Sequence, residues 1–468
     1  MEKLSGMDAG FWYLHGKNSP MYLGAVLKLE PEGGCPGISA AELIDLFTAR
    51  RGRLLALTKK VWTPRLGIGF PHWIEDEEFD LDYHIVSDPE PIDPTYELDV
   101  RVAEFLMAHL EKDRPPWQIR LFYDREGRTF LIVKLHHALL DGGLGLELLS
   151  GVVDLEPDFH PDTASSRQNM PSNPPSVKTP NPVDAGLESI IDLVSGRIPA
   201  LLNLKRRVSE AKNHPEGHFG DAIGSLFSGT KCEISGTLSD QREFRTLSFP
   251  LAVLSRHAAR LNTTLNNALL SVIAGAMKRY FDERGLDPIE SLVALVPISL
   301  RGQEDGNQDS KNRLMGMLVK LPTGSQSAIE RLDSTTRAAI NARKQADSLG
   351  SEVLFELGTL VATPLISLAV DFANELSLLD SIRPLFNLVI SNLAGVDFPL
   401  YLLGRRISSI IPIGPLAEGS GLNVTAYSYM DQMELGVMSC PRLLKDPDLL
   451  VVSIIAELDE VDRFEVTV

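Results

Sequence analysis

Residues 131–145 read LIVKLHHALLDGGLG. An apolar run ends in two adjacent histidines, His136 and His137, and Asp141, Gly142 and Gly143 follow. The chain holds 10 histidines in 468 residues, so a pair at one place calls for a reason. Three readings compete. In the first, Asp141 caps a helix and the histidines are filler. In the second, Gly143 and Gly145 belong to a nucleotide-binding loop between a strand and a helix. That fingerprint needs a third glycine where Leu148 stands, and no lysine follows to make a phosphate loop. A metal site fares no better: neighbouring strand residues point opposite ways, and no H-E-x-x-H spacing is present. In the third reading, a histidine at a strand end is a general base. Imidazole titrates near neutral pH, which suits abstraction of a hydroxyl proton. The glycines let the chain turn around Asp141, and the next helix would aim its N-terminal amides at the same region. EGSGLN, residues 418–423, is not a G-x-S-x-G nucleophile elbow. A base without a protein nucleophile implies direct attack by a second substrate.

The elements that must position this pair can be read around it. Thr129 to Leu135, rich in β-branched and aromatic residues, predicts a buried strand, and GLELLSGVV after the glycines predicts a helix. Ser39 and Glu42 predict a capping box ahead of an apolar-periodic helix. Prolines 157, 161, 171, 174, 175, 180 and 182 crowd one stretch, which predicts a linker or crossing loop. Later, NNALLSVIAGAMKRYF predicts a helix, and SLVALVPISLR, NRLMGMLVKLP, FNLVISNLAG and MELGVMSC predict strands. Strands alternating with helices imply an α/β protein with central sheets. The boundaries expected are residues 1–155 for a first domain, 156–185 for the Pro-rich linker and 186–468 for a second domain.

Composition narrows the partners. The net charge of -18 argues against nucleic acid, which needs a basic face. Cys35, Cys232 and Cys440 have neither disulfide-framework nor zinc spacing, which fits a reducing, cytoplasmic setting. The N-terminus has no secretory pattern, and no run reaches the ~20 apolar residues of a membrane span. LGTLVATPLISLAV, Leu357 to Val370, reads as a buried helix or pocket wall. Gly186 to Val208 has helical apolar spacing and ends with Lys205, Arg206 and Arg207, and reads as an ordinary core helix or an interfacial one.

HHALLDG matches the H-H-x-x-x-D-G motif and so resembles the CoA-dependent acyltransferase superfamily. LSGMDAGFWYL, PMYLGAVLKLE, DRPPWQIRLF, VPISLR, NRLMGMLVKLPT and NLVISNLAG narrow the resemblance to bacterial wax ester synthase/acyl-CoA:diacylglycerol O-acyltransferases, in order along nearly the whole chain. The resemblance implies an α/β fold of two chloramphenicol acetyltransferase-like domains with a substrate tunnel between them. It implies acyl-CoA as a substrate rather than a cofactor, an apolar alcohol acceptor, no metal, and a peripheral contact with a membrane or lipid inclusion. His137 would be the base and His136 its structural neighbour. Asp141 would hold the loop, with Arg301 as its candidate partner, and Gly142 would leave space for the thioester. Asn266 and Asn392 each line the tunnel or cap an element, and Trp117 is core. The departures are Asn267 where the family has Asp, Tyr22 where it has His, and Ala394 where it has Pro. None is expected to touch the histidine motif.

Overall fold

A nearly continuous apolar run from Tyr22 to Leu29 forms β2, whose Val26 and Leu27 are buried in cores on opposite faces. This strand is central to a six-stranded sheet in a computed structural model that describes residues 2–31, 37–64, 71–139, 151–157, 229–299, 314–324, 327–361, 377–380 and 383–463. Beside it runs β7, Thr129–His136, then β6, Trp117–Tyr123, and β5, Ile85–Ser87. Gly24 lets β2 and β7 approach, since a Cβ there would lie 1.8 Å from the Val133 carbonyl oxygen. A small sheet of β1 (Glu2–Lys3), β4 (His72–Glu75) and β3 (Lys59–Trp62) sits apart from it.

The other edge of β2 is closed from far away in sequence. β13, Arg405–Ile413, pairs antiparallel with it, with Ile410 opposite Leu27, and β12, Tyr401–Leu402, lies outside β13. Chain order assigned these residues to the second domain. Pairing puts them in the first sheet, where β2 would otherwise be an open edge.

The second six-stranded sheet runs β10 (Leu314–Pro322), β9 (Ser291–Ser299), β11 (Leu388–Leu393), β14 (Leu422–Tyr429), β15 (Gln432–Ser439) and β8 (Glu243–Pro250). The predicted strands of this half are all present.

Helices cover the sheets. In order they are α1 (Gly6–Leu14), α2 (Ala40–Ala49), α3 (Leu81–His84), α4 (Glu97–Met107), α5 (Leu251–Ala259), α6 (Leu265–Glu283), α7 (Ala328–Val361) and α8 (Pro447–Arg463). α2 carries the expected capping box, and its Leu43 and Leu46 pack with Leu27 and Leu131 of the first sheet. α6 is buried nearly all round, with Leu269, Leu270 and Ile273 in one core with Leu332 of α7 and Ile454 of α8. Each such side chain contributes roughly 1.5–3 kcal/mol of burial. α6 meets α8 closely at Gly275, where a Cβ would lie 2.3 Å from the Glu457 carboxyl carbon. That buried carboxylate is held by Arg279 at 2.9 Å and by Arg331.

The halves are joined by more than β13. One core contains Val26 and Ile132 of the first sheet, Ile411 of β13, and Phe244 and Met438 of the second sheet. α1, from the start of the chain, packs against α7.

Candidate active site

The predicted strand ends at the first histidine. His136 is the last residue of β7 and lies opposite Tyr22 in the β2 register. His137 opens a short 3-10 turn, His137–Leu139, and its backbone N–H donates to the Met21 carbonyl at 2.8 Å. The change from strand to turn at this peptide is what separates the two rings.

α1 holds both of them. Ser5 caps this helix: its Oγ accepts the Asp8 backbone N–H at 3.2 Å and donates to the Asp8 carboxylate at 2.6 Å. With its start fixed, the helix turns successive residues about 100° apart. Phe11 stacks on His137, ring centroids 3.7 Å apart and planes 28° from parallel. Trp12 lies 4.9 Å from His136. His15, just past the helix, stacks on His136 at 5.1 Å, and its Nε2 is 3.3 Å from His109 Nδ1. LSGMDAGFWYL is therefore the segment that clamps the pair, a role its residue types alone did not disclose.

Tyr22 corrects one expectation. The departure from the family's histidine touches the motif after all, since its ring meets His136 edge-on at 5.8 Å. Strand pairing brings this about. The Tyr22 hydroxyl accepts the Leu110 backbone N–H at 2.8 Å, which fixes the ring.

Protonation follows from burial. His137 is lowered to about 4, chiefly by desolvation, while its own backbone carbonyl works weakly the other way. His136, 2% exposed, is held well below its ordinary value by burial and by the neighbouring His15 and His137. Both rings are neutral near pH 7. His136 Nδ1 accepts the Ala138 backbone N–H at 3.1 Å, so its proton sits on Nε2, which is buried without a partner. His137 Nδ1 is buried with no partner in hydrogen-bond geometry. A proton on that nitrogen, turned toward its own carbonyl, leaves Nε2 with the free lone pair. A neutral imidazole so arranged can take a proton from a hydroxyl.

The other expected site residues separate into two groups. Asp141, Gly142 and Arg301 lie outside the described residues, as do the segment 186–208, most of the Pro-rich stretch and residues 362–370 of the proposed pocket wall. Asn266 is half-buried in the first turn of α6. Its neighbour Asn267 serves that helix start, donating from Nδ2 to Thr263 Oγ1 at 2.9 Å. Asn392 is half-buried on β11, opposite Ala426. Among the described residues neither Asn266 nor Asn392 is hydrogen-bonded to the histidines. The structural asparagine of that block is Asn387. It is fully buried, its Oδ1 accepts the Val293 and Thr230 N–H groups, and its Nδ2 donates to the Thr230 carbonyl at 2.6 Å. Trp117 is core, 1% exposed, with its indole N–H donating to the Leu57 carbonyl at 2.8 Å. Among the described residues no group of three His, Cys, Asp or Glu could hold a metal ion.

Comparison with known proteins bears on this geometry. Residues 4–269 match the wax ester synthase/diacylglycerol acyltransferase catalytic domain, and residues 311–462 match the WS/DGAT C-terminal domain. A Mycobacterium tuberculosis protein provisionally named a diacyglycerol O-acyltransferase is 28% identical over 95% of this chain and 87% of its own. O-acyltransferase WSD of Acinetobacter baylyi is 25% identical over 95% and 93%. Among solved structures, the wax ester synthase/diacylglycerol acyltransferase from Marinobacter aquaeolei VT8 superposes with a TM-score of 0.66 at 22% identity, covering 99% of each chain. The starter condensation domain of rhizomide synthetase, solved with C8-CoA and Leu-SNAC, has the same fold at a TM-score of 0.57 and 12% identity, over 98% and 93%.

Proposed function

Because the chain belongs to the wax ester synthase/diacylglycerol acyltransferase family, we propose that it moves a long-chain acyl group from acyl-CoA to the hydroxyl of diacylglycerol, a long-chain alcohol, or both. The products are triacylglycerol and wax ester. The observation that carries this reading is His137: an imidazole at a strand end, stacked on Phe11 and kept neutral near pH 7 by burial.

His137 Nε2 takes the proton of the acceptor hydroxyl as the oxygen attacks the thioester carbonyl carbon. A carbon–oxygen bond forms, and the carbonyl oxygen carries the negative charge of the tetrahedral intermediate. The intermediate collapses, the carbon–sulfur bond breaks, and the imidazolium returns its proton to the CoA thiolate. Base assistance of this kind contributes typically ~10²–10⁴ in rate, and alignment of two bound substrates supplies more. His136 supports the base from the neighbouring position. In this reading Asp141 pairs with Arg301 to hold the loop, and Gly142 gives the thioester clearance. Asn266 and Asn392 stay as candidate tunnel residues.

No helix among the described residues is long and apolar enough to cross a membrane. An apolar acceptor must still be collected from a lipid phase, so the proposal includes a peripheral contact with a membrane or lipid inclusion. The test is release of free CoA from palmitoyl-CoA against diacylglycerol, hexadecanol and an amine of the same chain length, with product identification. Ester formation is expected. CoA release with the amine alone would reassign the chain to amide synthesis, and no release with any acceptor would make it a binding protein.

A further inference from the structure

Lys134 lies two positions before His136 on β7, so the two side chains share one face of the strand. It is 0% exposed, and among the described residues no carboxylate pairs with it. An ammonium in that setting is costly unless other groups replace its water. Its Nζ donates to the Phe105 carbonyl at 2.9 Å and to the Ala108 carbonyl at 2.8 Å, at the end of α4. A helix leaves its last carbonyls without donors of its own, and that end favours a cation. The Phe105 and Tyr22 rings cover the rest of the ammonium, with centroids 4.2 and 5.2 Å from Nζ.

This anchor reaches the histidines through the residues that follow α4. His109 Nδ1 is 3.3 Å from His15 Nε2, and the Leu110 N–H donates to the Tyr22 hydroxyl at 2.8 Å. His15 and Tyr22 both pack on His136. The contacts therefore close a ring: from Lys134 to the end of α4, on to His15 and Tyr22, to His136, and back along β7.

We propose that Lys134 is a positioning residue for the histidine pair, its ammonium fixing the end of α4 so that His15 and Tyr22 are held against His136, beside the base. Burial, with repulsion from Arg120 on β6, lowers Lys134 to about 7. Among the described residues the other titratable group facing it is Tyr22, raised to about 12 and so neutral at working pH. α4 turns only carbonyls and the Phe105 ring toward it. A charged donor makes hydrogen bonds roughly twice as strong as a neutral one. The anchor therefore weakens as pH rises through about 7. The effect on rate rests on the acyl transfer proposed above; the placement of the rings does not.

Two measurements on the full-length protein test this. In the first, imidazole resonances of His15 and His136, assigned with His15→Gln and His136→Gln, are followed between about pH 6 and pH 9. Both rings stay neutral over that range, so an inflection near 7 reports a neighbour. It should appear in wild type and be absent from Lys134→Met. In the second, CoA release is measured with whichever acceptor reacts. Wild type should exceed Lys134→Met about tenfold in kcat near pH 6 with KM little changed, and the two should agree within about twofold near pH 9, where the lysine is neutral. The proposal is overturned if wild type shows no inflection, if the inflection persists in folded Lys134→Met, or if the rate ratio is the same at both ends of the range, as a merely structural lysine would give. Should Lys134→Met fail to fold, His109→Gln, at an exposed position, is read instead. Loss of the His136 inflection in that variant would assign the titration to His109 and overturn the proposal. No CoA release with any acceptor would remove the acyl-transfer reading and leave the resonance test in force.

Discussion

Phe11 lies on the imidazole of His137 with ring centroids 3.7 Å apart, although 126 positions separate them in sequence. The stack keeps water off one face of the ring and is part of the burial that lowers its pKa to about 4. Phe11→Ala exposes that face, so the His137 pKa should rise toward the ordinary 6.5. A base must be unprotonated to act. The acid limb of kcat/KM should therefore move to higher pH in the variant, with its largest deficit below about pH 6.5. Stability should fall as well, by the ~0.5–1.5 kcal/mol of the aromatic pair added to the lost burial of the half-buried Phe11 ring. An unchanged pH profile would show that Phe11 does not set the protonation of His137.

His137→Ala should lower acyl transfer by ~10²–10⁴ with the fold retained, as judged by circular dichroism and melting. His136→Ala should keep more activity but lose stability. It removes a buried ring packed against Trp12, His15 and Tyr22, together with the acceptor for the Ala138 N–H. Near wild-type turnover by folded His137→Ala would displace it as the base.

Acid should unfold this protein through its buried histidines. His84 and His257 are both fully buried and lowered to about 4, first of all by desolvation. The unfolded chain takes up these protons near 6.5 and the folded chain only near 4. Stability is thus complete above about pH 6.5 and is lost as pH falls toward 4, by roughly 3 kcal/mol for each ring at most. Denaturant unfolding across that window should show the slope, and His257→Leu should reduce it. A flat profile would mean that these rings are hydrated or protonated in the native state.

Membrane contact can be checked by liposome flotation at low and high salt. If residues 186–208 are the anchor, wild type should float with anionic vesicles, and changing Lys205, Arg206 and Arg207 to Glu should reduce it, at ~1 kcal/mol for each basic residue near the surface. Equal flotation of both proteins would place the anchor elsewhere. No flotation of either would point to substrate delivery by a carrier.

Much of this molecule was legible in one dimension. The strand ending at His136, the helix from Leu265 to Glu283, the Ser39–Glu42 capping box and four of the six strands of the second sheet (β9, β10, β11 and β15) announce themselves by local periodicity and caps. The adjacent histidines followed by Asp-Gly offered a base as one of three readings, and the reaction class came from the resemblance their motif carries. What local pattern cannot carry is partnership. Nothing in residues 405–413 says that they close the edge of β2, because a strand's apolar alternation fits any edge that needs covering, and burial of the whole chain selects one. Tyr22 reads as a substitution remote from the motif until β2 is laid beside β7, which puts it opposite His136. The placement of Phe11 and Trp12 on the two rings depends on where a helix capped at Ser5 docks. The residue types that do chemistry were thus set by the sequence as written. Their protonation and tautomers were decided by tertiary burial, because desolvation and hydrogen-bond partners exist only once distant segments pack together.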